Sequence, residues 1–196
     1  MPSRKPSGTE AIGLRERARP APCTWGLRSR SVSETRRIGR LVGQALRGGE
    51  MLALYGELGA GKTALVSGIA AGLEAPPHSV SSPTFVFLHH YRGRLPLAHA
   101  DLYRIESWTD LGNLGLSDCL DGRTVLVIEW AEKAGTEMPD DRLEVRLKHK
   151  GKTSREILFE SRGAASAELL ARTKRLYQSA PRGGAAPSGR RLRSTG

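Results

Sequence analysis

The sequence predicts an α/β fold of three layers, a mixed central sheet flanked by helices. Three observations carry this. Helical and strand patterning alternate along the chain rather than separating into blocks. Thr124-Val125-Leu126-Val127-Ile128 is a near-continuous apolar run of the kind buried on both faces of a sheet. Between a short apolar strand, Met51–Tyr55, and a helix running from Lys62 to Leu73 stands Gly56-Glu57-Leu58-Gly59-Ala60-Gly61-Lys62-Thr63. This stretch fits G-x-x-x-x-G-K-[ST], the phosphate-binding loop of nucleoside triphosphatases, so a P-loop NTPase fold is expected.

Taken in order, residues 1–30 carry seven Lys/Arg against two Glu and read as a basic, disordered N-terminal extension. From Ser33, the stripe Ile38, Leu41, Val42, Ala45 and Leu46 predicts a helix, capped by Ser31 or Ser33 and ended by Gly48-Gly49. The phosphate-loop strand and helix follow, the helix with Leu65, Val66, Ile69, Ala70 and Leu73 on one face. Pro76-Pro77 breaks the chain, and Ser81–Thr84 forms a polar turn into a strand at Phe85–Leu88. A second strand covers Leu95–His99, Ser107 caps a short helix through Leu111 and Leu114, and the Val125–Ile128 strand comes next. Residues 142–160 read as a β-hairpin turning at Lys150-Gly151-Lys152, so the late strands are expected to be antiparallel additions. A last helix carries Leu169, Leu170 and Leu176, with Ser166 at its start. The expected domain is 31–171, and 172–196 is the end of that helix plus a basic disordered tail with seven Lys/Arg and no acid.

The charge is instructive by its place. The whole chain is +11, yet the two ends account for all of it and residues 31–171 are nearly neutral. The folded body is therefore not a nucleic-acid surface by composition. Weak RNA contact is left to the basic tails, through phosphates. No apolar run approaches the ~20 residues of a membrane span. No secretory leader is evident, and Glu10 and Glu16 sit badly in an organelle transit peptide. Cys23 and Cys119 are far apart and the histidines show no zinc spacing, so a reduced cytoplasm is the expected setting.

The chemistry follows from the loop. Glycines let successive N–H groups face phosphate oxygens, and the outgoing helix sets its positive end there. Lys62 is expected on the β- and γ-phosphates and Thr63 on Mg²⁺. A triphosphatase also needs an acid at the end of a neighbouring strand, and Glu129 closes the Val125–Ile128 run. Asp101, just past the Leu95–His99 strand, either positions the attacking water, completes the Mg²⁺ shell, or is the acid of a surface turn. Thr84 lies where P-loop proteins keep a γ-phosphate sensor. Arg104 is read as a charge stabiliser or an ion-pair partner, and Trp130 as packing.

Four motifs in this order, Gly-Glu-Leu-Gly-Ala-Gly-Lys-Thr at 56–63, Ser-Pro-Thr-Phe at 82–85, His-Ala-Asp-Leu-Tyr-Arg at 99–104 and Ile-Glu-Trp at 128–130, resemble the TsaE (YjeE) family. The resemblance covers about residues 31–171. It implies an ATPase, feeble alone, that works with TsaB and TsaD in making threonylcarbamoyladenosine on tRNA. TsaD transfers the threonylcarbamoyl group to an adenosine beside the anticodon, in tRNAs reading codons that begin with A. ATP use is thought to support turnover of the complex, so tRNA is met indirectly.

Carried over by position, Glu57, Leu58, Gly59, Ala60, Gly61 and Lys62 hold phosphates, Thr63 and Glu129 hold Mg²⁺, and Asp101 serves hydrolysis. Ser31 and Thr35 match the stretch near the adenine, and Arg155 an arginine approaching the nucleotide. Glu57 stands where Asp is common, and the basic ends have no counterpart. A small-molecule kinase would need an arginine-rich lid, and a GTPase an Asn-Lys-x-Asp motif; neither is visible. A nucleotide-gated scaffold or RNA-binding module without essential hydrolysis is the non-enzymatic alternative.

Overall fold

The computed structural model describes residues 21–76, 88–105 and 114–181. Its elements are β1 (Thr24–Ser29), α1 (Val32–Ala45), β2 (Met51–Tyr55), α2 (Lys62–Gly72), β3 (Leu88–Tyr91), β4 (Leu97–Asp101), β5 (Val125–Glu129), β6 (Leu143–His149), β7 (Arg155–Ser161) and α3 (Ala164–Ser179). Short 3₁₀ turns at Leu116–Cys119 and Ala131–Glu137 flank β5. The sheet order is β1-β7-β6-β2-β5-β4-β3. Its centre is parallel, with β2 beside β5 and β6, and β4 beside β5. The antiparallel strands β3, β7 and β1 extend it at either side. This is the mixed α/β sheet of a P-loop NTPase.

Alternation along the strands gives the sheet two apolar faces. Leu52, Leu54, Val125, Val127, Val145 and Phe159 meet Ile38 and Val42 of α1, Leu65 and Ile69 of α2, and Leu169 and Leu170 of α3. Met51, Ala53, Ala100, Leu126 and Ile128 face the other way, against Leu102, Ile105, Cys119, Ala131 and Ala134. Helices α1 and α2 approach through glycine. A Cβ built on Gly39, Gly43, Gly68 or Gly72 would stand 2.1–2.2 Å from a backbone carbonyl oxygen of the facing helix.

Ser31 is the N-cap of α1, its hydroxyl accepting from Glu34 N at 3.0 Å. The helix ends at Ala45 before the glycines, and its last carbonyls accept from Arg94 and Arg172. The 142–160 hairpin is present as β6 and β7, although β6 itself runs parallel to β2. One expectation needs correction and another refinement. The domain does not begin at residue 31: Thr24–Ser29, placed in the disordered extension, is the edge strand β1. It is held because Trp25 stacks on Phe159 at 5.5 Å and meets Tyr177 edge-on at 5.2 Å. Ser166 caps α3 as expected, but as the third helical residue and not as the N-cap, which is Gly163. The Ser166 hydroxyl accepts from Gly163 N, while the Asp141 carboxylate accepts from Ala165 N and Ser166 N. The Ser81–Thr84 turn, most of the Phe85–Leu88 strand and the start of the Ser107 helix lie outside the described residues.

Candidate functional site: a phosphate loop facing two strand-end acids

The loop between β2 and α2 bends at three glycines with positive φ: Gly56 (140°), Gly59 (78°) and Gly61 (103°). Two of them also lack room. A Cβ on Gly56 would meet Leu147 O at 2.4 Å, and one on Gly61 would meet Arg155 Nε at 3.2 Å. The first hydrogen bond of α2 is Leu65 N to Gly61 O, which leaves the N–H groups of Lys62, Thr63 and Ala64 for an anion, while Ala60 N donates to Glu57 O at 3.1 Å.

Lys62 is the first residue of α2, and its side chain folds back over the loop. Its ammonium donates to Gly56 O at 2.5 Å and Glu57 O at 3.1 Å and lies 3.7 Å from the centre of the Trp130 ring. Burial pulls its pKa below the usual lysine value, against the opposing charges of Glu129, Glu132 and Asp101. Trp130 holds a left-handed backbone, φ 57°, which turns its ring across the lysine.

Register brings the acids together. Asp101 and Glu129 are paired partners at the ends of the parallel strands β4 and β5, and Leu54 of β2 is the other partner of Glu129. Parallel strands end on one side of a sheet, so both acids stand where β2 delivers the loop. Thr63 Oγ1 donates to Glu129 Oε2 at 3.1 Å. Glu129 Oε1 lies 3.0 Å from His99 Nε2, with Glu129 only 2% exposed and His99 fully buried. Asp101 is buried too and accepts from Tyr103 N through Oδ1 at 3.0 Å. A cleft of about 230 Å³ is lined by Gly59, Lys62, Thr63, Asp101, Glu129 and Trp130 among others.

A second group adjoins the loop. Arg155 of β7 donates from Nη1 to Thr35 Oγ1 at 2.9 Å, and Thr35 Oγ1 is also 2.8 Å from Ser29 Oγ. Since Gly61 sits against the same guanidinium, Arg155 ties the loop to the start of α1. The hydroxyl of Ser31 caps α1 by accepting from Glu34 N, which leaves its own O–H to donate. Glu57 and Leu58 are exposed at the loop tip and Ala60 is buried beneath it. Thr84 lies outside the described residues, and Arg104 is exposed on the turn after β4. Among the described residues a larger cleft, about 680 Å³, opens by Arg28, Arg30, Arg37 and Tyr177. It gathers cations without the loop or the acid pair, so the smaller cleft is the candidate site. Sequence reasoning missed His99 as a neighbour of Glu129. Its visible signals are its place at the head of the 99–104 motif and the i, i+2 spacing to Asp101, which puts both side chains on one face of β4.

The model of the family described as threonylcarbamoyl adenosine biosynthesis protein TsaE matches residues 29–157, a span running from the last residue of β1 to Ile157 in β7. The chain is 41% identical over 129 residues to the tRNA threonylcarbamoyladenosine biosynthesis protein TsaE of Treponema pallidum, covering 66% of this chain and 95% of that protein. It is 38% identical over 137 residues to the protein of the same name from Bacillus subtilis, covering 69% of this chain and 85% of that one. The crystal structure of Bacillus subtilis YdiB superimposes with a TM-score of 0.66 at 31% identity, over 79% of this chain and 96% of that chain. The chain belongs to the TsaE family.

Proposed function

We propose that this protein binds ATP with Mg²⁺ and hydrolyses it to sustain threonylcarbamoyladenosine modification of tRNA, acting with TsaB- and TsaD-type partners. Family membership supports a role in that biosynthesis. The observation that carries the ATPase reading is the meeting of Lys62, Thr63, Asp101 and Glu129 at the ends of α2, β4 and β5. The residues fit the ligands. A loop whose three glycines all take positive φ suits close approach of phosphate oxygens to backbone N–H groups. Thr63 and Glu129 present two oxygens to each other 3.1 Å apart, the donor type a hard divalent cation takes. Mg²⁺ there would neutralise charge on the phosphates.

In this reading Glu57 to Lys62 cradle the phosphates, and Lys62 exchanges its carbonyl contacts for phosphate oxygens. Thr63 and Glu129 hold the cation. Asp101 orients the attacking water. Ser31, Thr35 and Arg155 approach the nucleoside end, Ser31 and Thr35 from the start of α1 and Arg155 from β7, and Thr84 senses the γ-phosphate. No helix among the described residues is long and apolar enough to cross a membrane, and the cytoplasm is the proposed location. The basic ends add weak RNA contact at most. The test is ATP hydrolysis by the purified protein, alone and mixed with TsaB and TsaD. Slow turnover that rises on mixing is expected. Absence of hydrolysis in both, with undiminished tRNA modification, would favour the scaffold reading.

A further inference from the structure

We propose that His99 is a positioning residue for Glu129, holding the carboxylate so that one oxygen is presented with Thr63 to the divalent cation. The inference rests on the ATPase reading and adds a residue to it. Glu129 is 2% exposed, and a buried carboxylate must find donors. It finds one for each oxygen: Thr63 Oγ1 donates to Oε2 at 3.1 Å, and His99 Nε2 lies 3.0 Å from Oε1. An ionised carboxylate only accepts, so Nε2 carries the proton in that bond. The terminal torsion of a glutamate is soft and nearly two-fold. One donor alone leaves the group free to pivot about the bonded oxygen. Donors on both oxygens fix the plane.

The two donors are not equivalent. Thr63 is itself expected to turn to the cation, and it then stops holding Oε2. His99 has no such second task. It is fully buried, on a strand flanked on both sides by β3 and β5, with its ring stacked on Tyr91 at 6.4 Å between centres. Its other ring nitrogen, Nδ1, is buried and has no hydrogen-bond partner among the described residues. The ring's directional bonding there is spent on Glu129. A histidine kept only to fill the core would bury two polar nitrogens for the sake of volume, where leucine serves at lower desolvation cost.

The test measures binding of a fluorescent ADP analogue against Mg²⁺ concentration for the full chain and for His99→Leu, His99→Gln and His99→Asn, each checked by a thermal melt. An amide placed like Nε2 is available to Gln and not to the shorter Asn. Removing a donor behind a metal ligand typically costs 10–100-fold in metal affinity, so the Mg²⁺ midpoint should rise at least about tenfold in His99→Leu and His99→Asn. His99→Gln should return most of it, and nucleotide affinity without Mg²⁺ should not move. At saturating Mg²⁺ the Leu variant should bind nucleotide like the wild type. If His99→Leu does not fold, the Gln and Asn pair decides. A wild-type Mg²⁺ midpoint in the folded Leu or Asn variant, or equal midpoints for Gln and Asn, overturns the role of His99 alone. No Mg²⁺ dependence in the wild type overturns both this role and the metal site on which it rests.

Discussion

The ammonium of Lys62 lies 3.7 Å from the centre of the Trp130 ring while donating to the carbonyls of Gly56 and Glu57. The lysine thus rests on the walls of its own loop, and phosphate must draw it away. Tryptophan emission should therefore change when ATP binds, and the change should vanish in Trp130→Phe. Lys62→Ala should fold and should lose nucleotide affinity by roughly 10–100-fold, the worth of a charge-assisted hydrogen bond. Titration beside a circular-dichroism melt checks this, and unchanged affinity in the folded variant removes the loop from the site.

Asp101 and Glu129 are neighbours across β4 and β5, yet their variants should differ in kind. Glu129→Gln should raise the Mg²⁺ needed for nucleotide binding. Asp101→Asn keeps an oxygen for Tyr103 N and so preserves the turn. It should leave ATP affinity near the wild-type value and slow partner-stimulated hydrolysis, by ~10²–10⁴-fold if the carboxylate works as a positioned base. Equal turnover for Asp101→Asn and wild type excludes that role.

Glu144 gives the fold an acid limit. Burial pushes its carboxyl up, but hydrogen bonds and charge from Arg162, then Arg142, outweigh this and hold it below its ordinary value of 4.5. Arg146 completes the clamp at 2.8 Å. A lowered folded value means stability that is complete above the ordinary carboxylate range and lost as pH falls through the folded value. Urea melts from pH 7 down to pH 3 should show that loss. Glu144→Gln should lower stability at pH 7 by about 2 kcal/mol and flatten the acid limb, since hydrogen bonds to charged groups contribute on this scale. An unchanged acid limb in the variant assigns the pH dependence to other carboxylates.

Removing residues 1–20 should leave the melting temperature and hydrolysis unchanged, because that stretch has no periodic apolar pattern. Removing 1–30 takes β1 as well and uncovers Phe159 and Ile157 on β7. Trp25 and Leu27 are half-buried, so each contributes less than the roughly 1.5–3 kcal/mol of a fully buried side chain, and their joint loss should still lower the melting temperature measurably. Equal melts for the two truncations would show that β1 adds nothing to the domain.

The legible parts of the chain are those with a local signature. The glycine and lysine spacing placed the loop, the Val125–Ile128 run placed a central strand, and alternation placed the hairpin. β1 has no such signature. Thr-Trp-Gly-Leu-Arg-Ser is an edge strand with a glycine inside and only Trp25 and Leu27 as large inward side chains, in a basic neighbourhood. Its stability comes from Phe159 and Tyr177, more than 130 positions away. The same limit hid His99. That a histidine on β4 touches Glu129 on β5 depends on the parallel register, which spacing along one chain does not contain. Sequence alone marks Trp130 as packing, and it does pack, but against the lysine of the loop. The capping of α3 by Asp141 is likewise a contact between distant segments.

The glycine crossing of α1 and α2 has a genetic consequence. Any missense change in the codons for Gly39, Gly43, Gly68 or Gly72 adds at least one carbon where a facing carbonyl already stands 2.1–2.2 Å from its place. Unlike a surface codon, none of the four has a silent neighbour among the other nineteen amino acids. The crossing holds together the helix that carries Thr35 and the helix that begins at Lys62. Loss-of-function codons will therefore interleave along the gene, with those of the crossing at 39, 43, 68 and 72 lying on either side of the phosphate-loop codons 56–63, and the crossing alleles will lose folded protein where the loop alleles lose nucleotide binding.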